Sequence, residues 1–442
     1  MNKFSPDEKK FEKHIEKYLN SIGYESINYK KYDRKCCLIK DQVMNFIKSS
    51  QKEKWKKLLE IYPENTEERV LSRIESEISR RGVIDVLRNK VSDRSVHLEL
   101  CYFEPKSDLN PDHKDLFKLN QFSLIRQFHY STKNENSIDM VLFLNGIPVV
   151  TMELKNQLTG QNYKHSENQY RFDRDPKEPL LQFKRVLVHF CVDNNQVSMT
   201  TNLKGGKTRF FPYNKDIENP PVENDYRSSY LWKEVLNPNS LLDIIENFAH
   251  VSNEKEYYYN EEKQKVDSKK FDVQIFPRYH QLELIRNLKS KITNDGAGNN
   301  YLIQHTTGSG KTLTSFKTAQ ILINSPAVYK VVFVVDRRDL DYQTTKEFNS
   351  FSDGSVDGTD NTKALVTQFG DDTKLLVTTI QKLNNAISNQ RYASVMEGLK
   401  DKRIVFIFDE CHRSQFGETH KRIKKYFNNH QMFGFTGTPI FA

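Results

Sequence analysis

Apolar residues Phe11, Ile15 and Leu19 recur every fourth position behind Ser5-Pro6-Asp7-Glu8. That pattern predicts an amphipathic helix entered through a capping box, with proline at the first helical position and Gly23 ending it in a left-handed conformation. Helical periodicity continues through 55–62 and 66–91, broken near Gly82. From residue 122 the period changes to strands, at 122–130, 138–144 and 147–154, and the last two are joined by Asn145-Gly146, a two-residue hairpin turn. Further strand-like stretches follow at 185–192 and 197–200.

Residues 254–270 are almost wholly polar, with three tyrosines among lysines and glutamates, and read as a linker. Beyond Phe276 short apolar strands at 301–304, 331–335, 375–379, 403–408 and 432–436 alternate with helical segments such as 311–324. Strands and helices alternating at this spacing predict a doubly wound parallel sheet. The expected organisation is an α/β domain over 1–252 with a helical start, a linker over 253–271 and a second α/β domain over 272–442.

Composition narrows the class. A chain of 442 residues exceeds one core, and 37% hydrophobic with 28% charged residues suits globular domains. The formal charge of +9 favours an anionic partner, phosphate backbone being the commonest. Cys36, Cys37, Cys101, Cys191 and Cys411 are scattered with no Cys-x-x-Cys pair, so neither a zinc site nor a disulfide framework is indicated. An odd cysteine count without a signal peptide points to a reducing cytoplasm, and no apolar run approaches a membrane span.

Candidate chemistry sits in two places. His305-Thr306-Thr307-Gly308-Ser309-Gly310-Lys311-Thr312 follows a strand and opens a helix, the setting a phosphate loop requires. Backbone N–H groups of Thr307, Gly308, Ser309 and Gly310 would cradle phosphates. Lys311 would reach the β- and γ-phosphates, and the Thr312 hydroxyl would ligate Mg²⁺. His305 stands where the usual pattern has glycine. Asp409 ends an apolar strand, which places its carboxylate at the sheet's carboxyl edge to hold Mg²⁺; Glu410 beside it would activate the attacking water. Gly205-Gly206-Lys207-Thr208 also spells Gly-Lys-Thr, but no helix follows and it reads as a turn.

The second place is the hairpin. Asp139 lies on one strand and Glu153-Leu154-Lys155 on the other. Strand alternation sets Glu153 and Lys155 on one face and Met152 and Leu154 on the opposite, buried one. Two converging carboxylates suit Mg²⁺ and phosphodiester hydrolysis, with Lys155 positioning the nucleophile or stabilising developing charge. A charged solvent face on a hairpin would spell the same letters.

The nucleotide motifs resemble the first RecA-like domain of superfamily 2 helicases and translocases. Tyr279-His280-Gln281 looks like that family's adenine-reading motif, Gln281 bonding the base. Asp336-Arg337-Arg338 and Thr378-Thr379-Ile380-Gln381 stand where the family touches nucleic-acid backbone, and Thr436-Gly437-Thr438-Pro439 resembles its coupling motif. Asp139…Glu153-Leu154-Lys155 resembles the PD-(D/E)xK nucleases, with Ile138 in place of the proline. Longer wording is similar to the restriction subunit of type I restriction-modification enzymes: Ser137-Ile138-Asp139-Met140-Val141-Leu142-Phe143, Glu153-Leu154-Lys155-Asn156, Asp173-Arg174-Asp175-Pro176 and Asp409-Glu410-Cys411-His412-Arg413. Some members carry Gln-x-x-x-Tyr after the nuclease lysine; here Gln169 and Tyr170 are adjacent.

This resemblance implies a PD-(D/E)xK nuclease-like α/β domain followed by a RecA-like parallel-sheet P-loop domain. It also implies ATP and Mg²⁺ as cofactors, double-stranded DNA as substrate, and modification and specificity subunits as partners. No second motor domain follows Pro439, so the sequence leads to the expectation of a truncated subunit that binds ATP weakly and does not translocate. Two other readings stay open: a non-catalytic remnant binding DNA or proteins, and a helicase with an appended nuclease.

Overall fold

The computed structural model describes residues 8–105, 111–260, 264–295, 298–304, 310–335, 362–409 and 416–437. The chain divides into two compact units, Met1–Tyr279 and His280–Ala442.

In the first unit the helix Glu8–Ser21 seats Phe11, Ile15 and Leu19 entirely out of solvent. Gly23 follows at φ +109, the left-handed exit its position demanded. Strand β1 (Tyr24–Ser26) comes next, then the helices Lys40–Ser50, Lys52–Ile61, Thr66–Arg81 and Val83–Asn89, the last two divided at Gly82. A small ribbon, β2 (Val91–Asp93) and β3 (Val96–Leu98), leads into the main sheet.

That sheet holds β1, β4 (Phe122–His129), β5 (Ser137–Leu144), β6 (Ile147–Leu154), β7 (Val188–Val192), β8 (Val197–Thr200) and β9 (Phe211–Pro212), in that order. It is mixed: β1 runs parallel to β4 and β6 parallel to β7, while the remaining neighbours are antiparallel. Gly146 makes the β5–β6 turn at φ +81, and a Cβ there would meet the Ile39 carbonyl at 2.6 Å. Glycine is therefore required by both conformation and space. All eight residues of β6 are buried, so this central strand is covered on both faces.

The stretch read as a linker is instead an antiparallel ribbon, β10 (His250–Asn260) and β11 (Lys265–Ile275), within the first unit. Neither face of its outer part is buried, so the alternation that normally advertises a strand is missing from the sequence. Its root is fixed: the Gln274 amide donates to the Val186 and Leu187 carbonyls at 2.8 and 2.9 Å, and Lys184 pairs with Asp272.

The second unit is a five-stranded sheet of β12 (Asn300–Gln304), β13 (Lys330–Val335), β14 (Leu375–Thr379), β15 (Ile404–Asp409) and β16 (His430–Thr436). The order is β12-β16-β15-β13-β14, and every pairing is parallel. Val331, Phe333, Val405 and Ile407 pack with Phe316, Ala319 and Leu322, while Val332, Val334, Phe406 and Phe408 pack with Leu365, Phe369 and Leu383. Alternate residues of one strand thus feed two cores, one on each side, as a doubly wound RecA-like sheet requires. The carboxyl ends of β12, β15 and β16, at Gln304, Asp409 and Thr436, lie at one edge of this sheet.

Candidate active site

The hairpin register explains the acidic pair. Met140 faces Met152 across β5 and β6, so one step further the register sets Asp139 opposite Glu153. Directly opposed residues have Cβ atoms about 4.5–5.5 Å apart. Asp139 replaces a ladder bond there, its Oδ2 accepting the Leu154 N–H at 2.7 Å. Glu153 is fully buried, its Oε1 accepting from Arg174 Nε at 2.7 Å. Its Oε2 is buried with no hydrogen-bond partner among the described residues.

Burial, and then the neighbouring Asp139 charge, push the Glu153 carboxyl well above the usual carboxylate range, against the pull of Arg174. Burial opposes the Arg174 charge, yet Glu153 beside it holds the guanidinium above its ordinary range. Arg174 also donates to the Ser137 carbonyl at 2.8 Å, tying the start of β5 to the site. Lys155 is buried just beyond β6, its backbone N–H bonded to the Val192 carbonyl at 2.8 Å.

A charged solvent face is thereby excluded, since Glu153 and Lys155 are both buried. The expectation of one buried and one open face on β6 is corrected as well: both are covered, because β6 is a central strand. The orphaned Glu153 oxygen beside Asp139 is a hard-oxygen donor set that fits Mg²⁺. No group of three or more His, Cys, Asp or Glu suited to a metal occurs among the described residues. Two carboxylates are nevertheless enough for an ion that keeps much of its water shell.

Several neighbours escaped sequence reasoning. Gln127 lies opposite Asp139 on β4 at φ +46, an unusual backbone for glutamine, and its amide donates to Glu12 at 2.7 Å and Asp139 at 3.4 Å. Glu12 is buried in the first helix and forms an ion pair with Arg126 at 3.4 Å. Arg174 was visible only as part of a longer resemblance; nothing local announces that it reaches a carboxylate 21 positions away. Tyr170 lies fully buried with its hydroxyl 2.7 Å from Thr151 Oγ1, which also contacts His189 Nδ1 at 2.7 Å. Tyr170 is thus tied to a buried polar trio, and the adjacent Gln169 carries a buried Oε1 with no hydrogen-bond partner among the described residues.

In the second unit Gly310 precedes the helix Lys311–Leu322 at φ +84, and a Cβ there would meet Gln281 Nε2 at 2.6 Å. The Gln281 amide therefore packs on the Gly310 backbone. Lys311 Nζ lies 3.7 Å from Asp409 Oδ1, both side chains being about one-eighth exposed at 13%. Residues 98 positions apart, just beyond β12 and at the end of β15, are so brought together. Thr307, Gly308, Ser309 and Glu410 lie outside the described residues, as does the Thr312 side chain. Asp336-Arg337-Arg338 and Thr438-Pro439 lie outside them too. Thr379 caps the helix Ile380–Ser388, its hydroxyl accepting from the Lys382 N–H at 3.3 Å.

Comparison with known proteins matches residues 5–208 to the family described as type I restriction enzyme R protein N terminus, and residues 280–442 to the SWI2/SNF2 ATPase family. The type I restriction enzyme SsaAORF53P endonuclease subunit of Staphylococcus saprophyticus is 36% identical over 328 residues, covering 73% of this chain and 32% of that protein. A Mycoplasma pneumoniae protein, named as the C-terminal part of the type I restriction enzyme MpnIIP endonuclease subunit, is 52% identical over 128 residues, covering 28% of this chain and 62% of that protein. Among solved structures, a nuclease-deletion mutant of the Type ISP restriction-modification enzyme LlaGI with a DNA substrate mimic aligns at TM-score 0.30 and 19% identity, over 38% of this chain and 18% of that one. The chain spans about a third of the length of the first of these relatives.

Proposed function

We propose that this chain, kin to type I restriction endonuclease subunits across both of its units, is the nuclease and first motor part of such a subunit. It would act in the cytoplasm with modification and specificity subunits on double-stranded DNA. The observation that carries the nuclease reading is Glu153, buried beside Asp139 with one oxygen lacking a hydrogen-bond partner among the described residues.

Asp139 and Glu153 would hold Mg²⁺, which when bound supplies Lewis-acid activation of water and of the scissile phosphate. Asp139 is fixed by the Leu154 N–H, and Glu153 by Arg174, so neither carboxylate needs to reorganise. Lys155 would stabilise charge developing on the phosphate. In the second unit Gln281 and Gly310 would frame the nucleotide, Lys311 would bind its phosphates, and Asp409 with Thr312 would hold its Mg²⁺. Glu410 would orient water for ATP hydrolysis. ATP-driven translocation would further need an arginine from a second RecA-like domain.

The test is Mg²⁺-dependent cleavage of supercoiled DNA by the purified chain, alone and with its partner subunits. Cleavage should vanish in Asp139→Asn and Lys155→Ala and persist in Lys311→Ala for the ATP-independent fraction. Equal cleavage by wild type and Asp139→Asn would remove the nuclease assignment.

A further inference from the structure

The β10–β11 ribbon is a feature the proposed chemistry leaves unused. Directly paired residues of an antiparallel ribbon share a face. Lys255 pairs with Lys270, Tyr257 with Ser268 and Tyr259 with Val266, so these six form one face. The other face carries Glu254, Glu256 and Asp267 against Lys265 and Lys269, and its charges offset one another. The first face thus has two lysines at one level, an aromatic patch beyond it and, toward its root, Asp272 paired with Lys184.

The lysine pair is the informative contact. Like charges directly opposite across a ladder destabilise it. Lys255 and Lys270 are exposed, and neither forms an ion pair among the described residues. Among the described residues no carboxylate pairs with either lysine, the nearby Asp272 being taken by Lys184, and an anion lying across the ribbon would relieve their repulsion. Beyond them Tyr257 and Tyr259 are each 62% exposed and Val266 66%. These are residues with strand propensity, placed where burial gives no reason for them.

We propose that this face of the ribbon docks in a groove of duplex DNA, Lys255 and Lys270 contacting phosphates of opposite strands and the tyrosines packing on sugars. A two-stranded ribbon is one of the two elements that the roughly 12 Å major groove admits. Contacts of this kind are blind to sequence, as an element tracking along DNA needs. The inference rests on the reading of the chain as a DNA-acting enzyme, and names the surface that holds the duplex.

The experiment is fluorescence anisotropy of a labelled blunt duplex with the whole chain, titrated at several salt concentrations. Each phosphate contact contributes about 0.9 to the slope of log affinity against log salt, so Lys255→Gln with Lys270→Gln should lower the slope by about 1.8. Between about 50 and 200 mM salt the double variant should therefore lose roughly 12-fold less affinity than wild type does. Tyr257→Ser with Tyr259→Ser should weaken binding while leaving the slope unchanged, and Lys→Arg at both positions should restore wild-type behaviour. All four positions are exposed, so unchanged melting curves will verify folding.

Wild-type binding that survives every ribbon change with the same slope overturns this proposal and leaves the functional reading standing. A wild type that binds no DNA overturns both. Sedimentation showing a self-associated wild type that the tyrosine changes dissociate would make the face a contact between copies of this chain, and would overturn the groove assignment. So would equal affinity for single strands.

Discussion

Replacing Arg174 with methionine leaves Glu153 buried, without its donor, and opposite a second carboxylate. An opposite charge within hydrogen-bond distance lowers a carboxyl pKa by about 1–3 units, each worth about 1.4 kcal/mol. Losing Arg174 therefore costs the ionised form of Glu153 about 1.4–4 kcal/mol, in line with the roughly 3–5 kcal/mol seen when one partner of a buried pair is removed. The sign is fixed: burial and Asp139 already raise this carboxyl, and removing the cation raises it further. Only the ionised carboxyl holds a divalent cation, so the acid limb of Mg²⁺-dependent cleavage should move to higher pH. The assay is a pH–rate profile at subsaturating Mg²⁺ for wild type, Arg174→Met and Arg174→Lys. Lysine keeps the charge without the fork and should shift the limb less. A limb that stays in place, or a loss equal at every pH, would show that Arg174 serves structure and does not set the charge of Glu153.

Other outcomes follow from the same geometry. Because the Glu153 carboxyl is raised in the folded chain, its contribution favours folding at low pH and is lost as pH rises through the folded value; Mg²⁺ should reverse that loss. At pH 8 and about 100 times its dissociation constant, Mg²⁺ should add about 2.7 kcal/mol to stability in calorimetry, and add nothing in Asp139→Asn. Gly310→Ala forces a left-handed alanine against Gln281, so it should cost about 1–2 kcal/mol and weaken binding of a fluorescent ATP analogue. Lys311→Ala should weaken the same analogue about 10–100-fold, the worth of a charged hydrogen bond. Lys330 is buried with its ammonium donating to the Gln368, Asp371 and Thr373 carbonyls at 3.0, 2.6 and 2.7 Å, so Lys330→Met should lower the unfolding free energy of the second unit by about 2–4 kcal/mol, read as a lower denaturation midpoint. An unchanged midpoint would mean that water satisfies those carbonyls.

The elements of both units were legible in the sequence because their patterns are local. The turn at Asn145-Gly146, the apolar runs of the parallel sheet and the glycine before Lys311 each follow from the conformations a few neighbouring residues allow. Asp139, Glu153 and Lys155 could be singled out for the same reason, since a hairpin brings its two strands together by construction. Three things were not available at that level. The ribbon at 250–275 has no buried face to imprint a period on its outer residues, so its polar stretch read as a linker. That Glu153 is buried, and not on a solvated face, depends on β6 lying in the middle of a sheet whose far side is built by β7 to β9. Arg174 and Glu12 reach the site from segments distant along the chain and Gln127 from the neighbouring strand β4, and Lys311 meets Asp409 because two distant strands end at one edge. Local sterics and periodicity thus determined which residues could carry the chemistry. Sheet order and burial, which arise only when distant segments pack, decided their charge, their partners and the surface left open for a ligand.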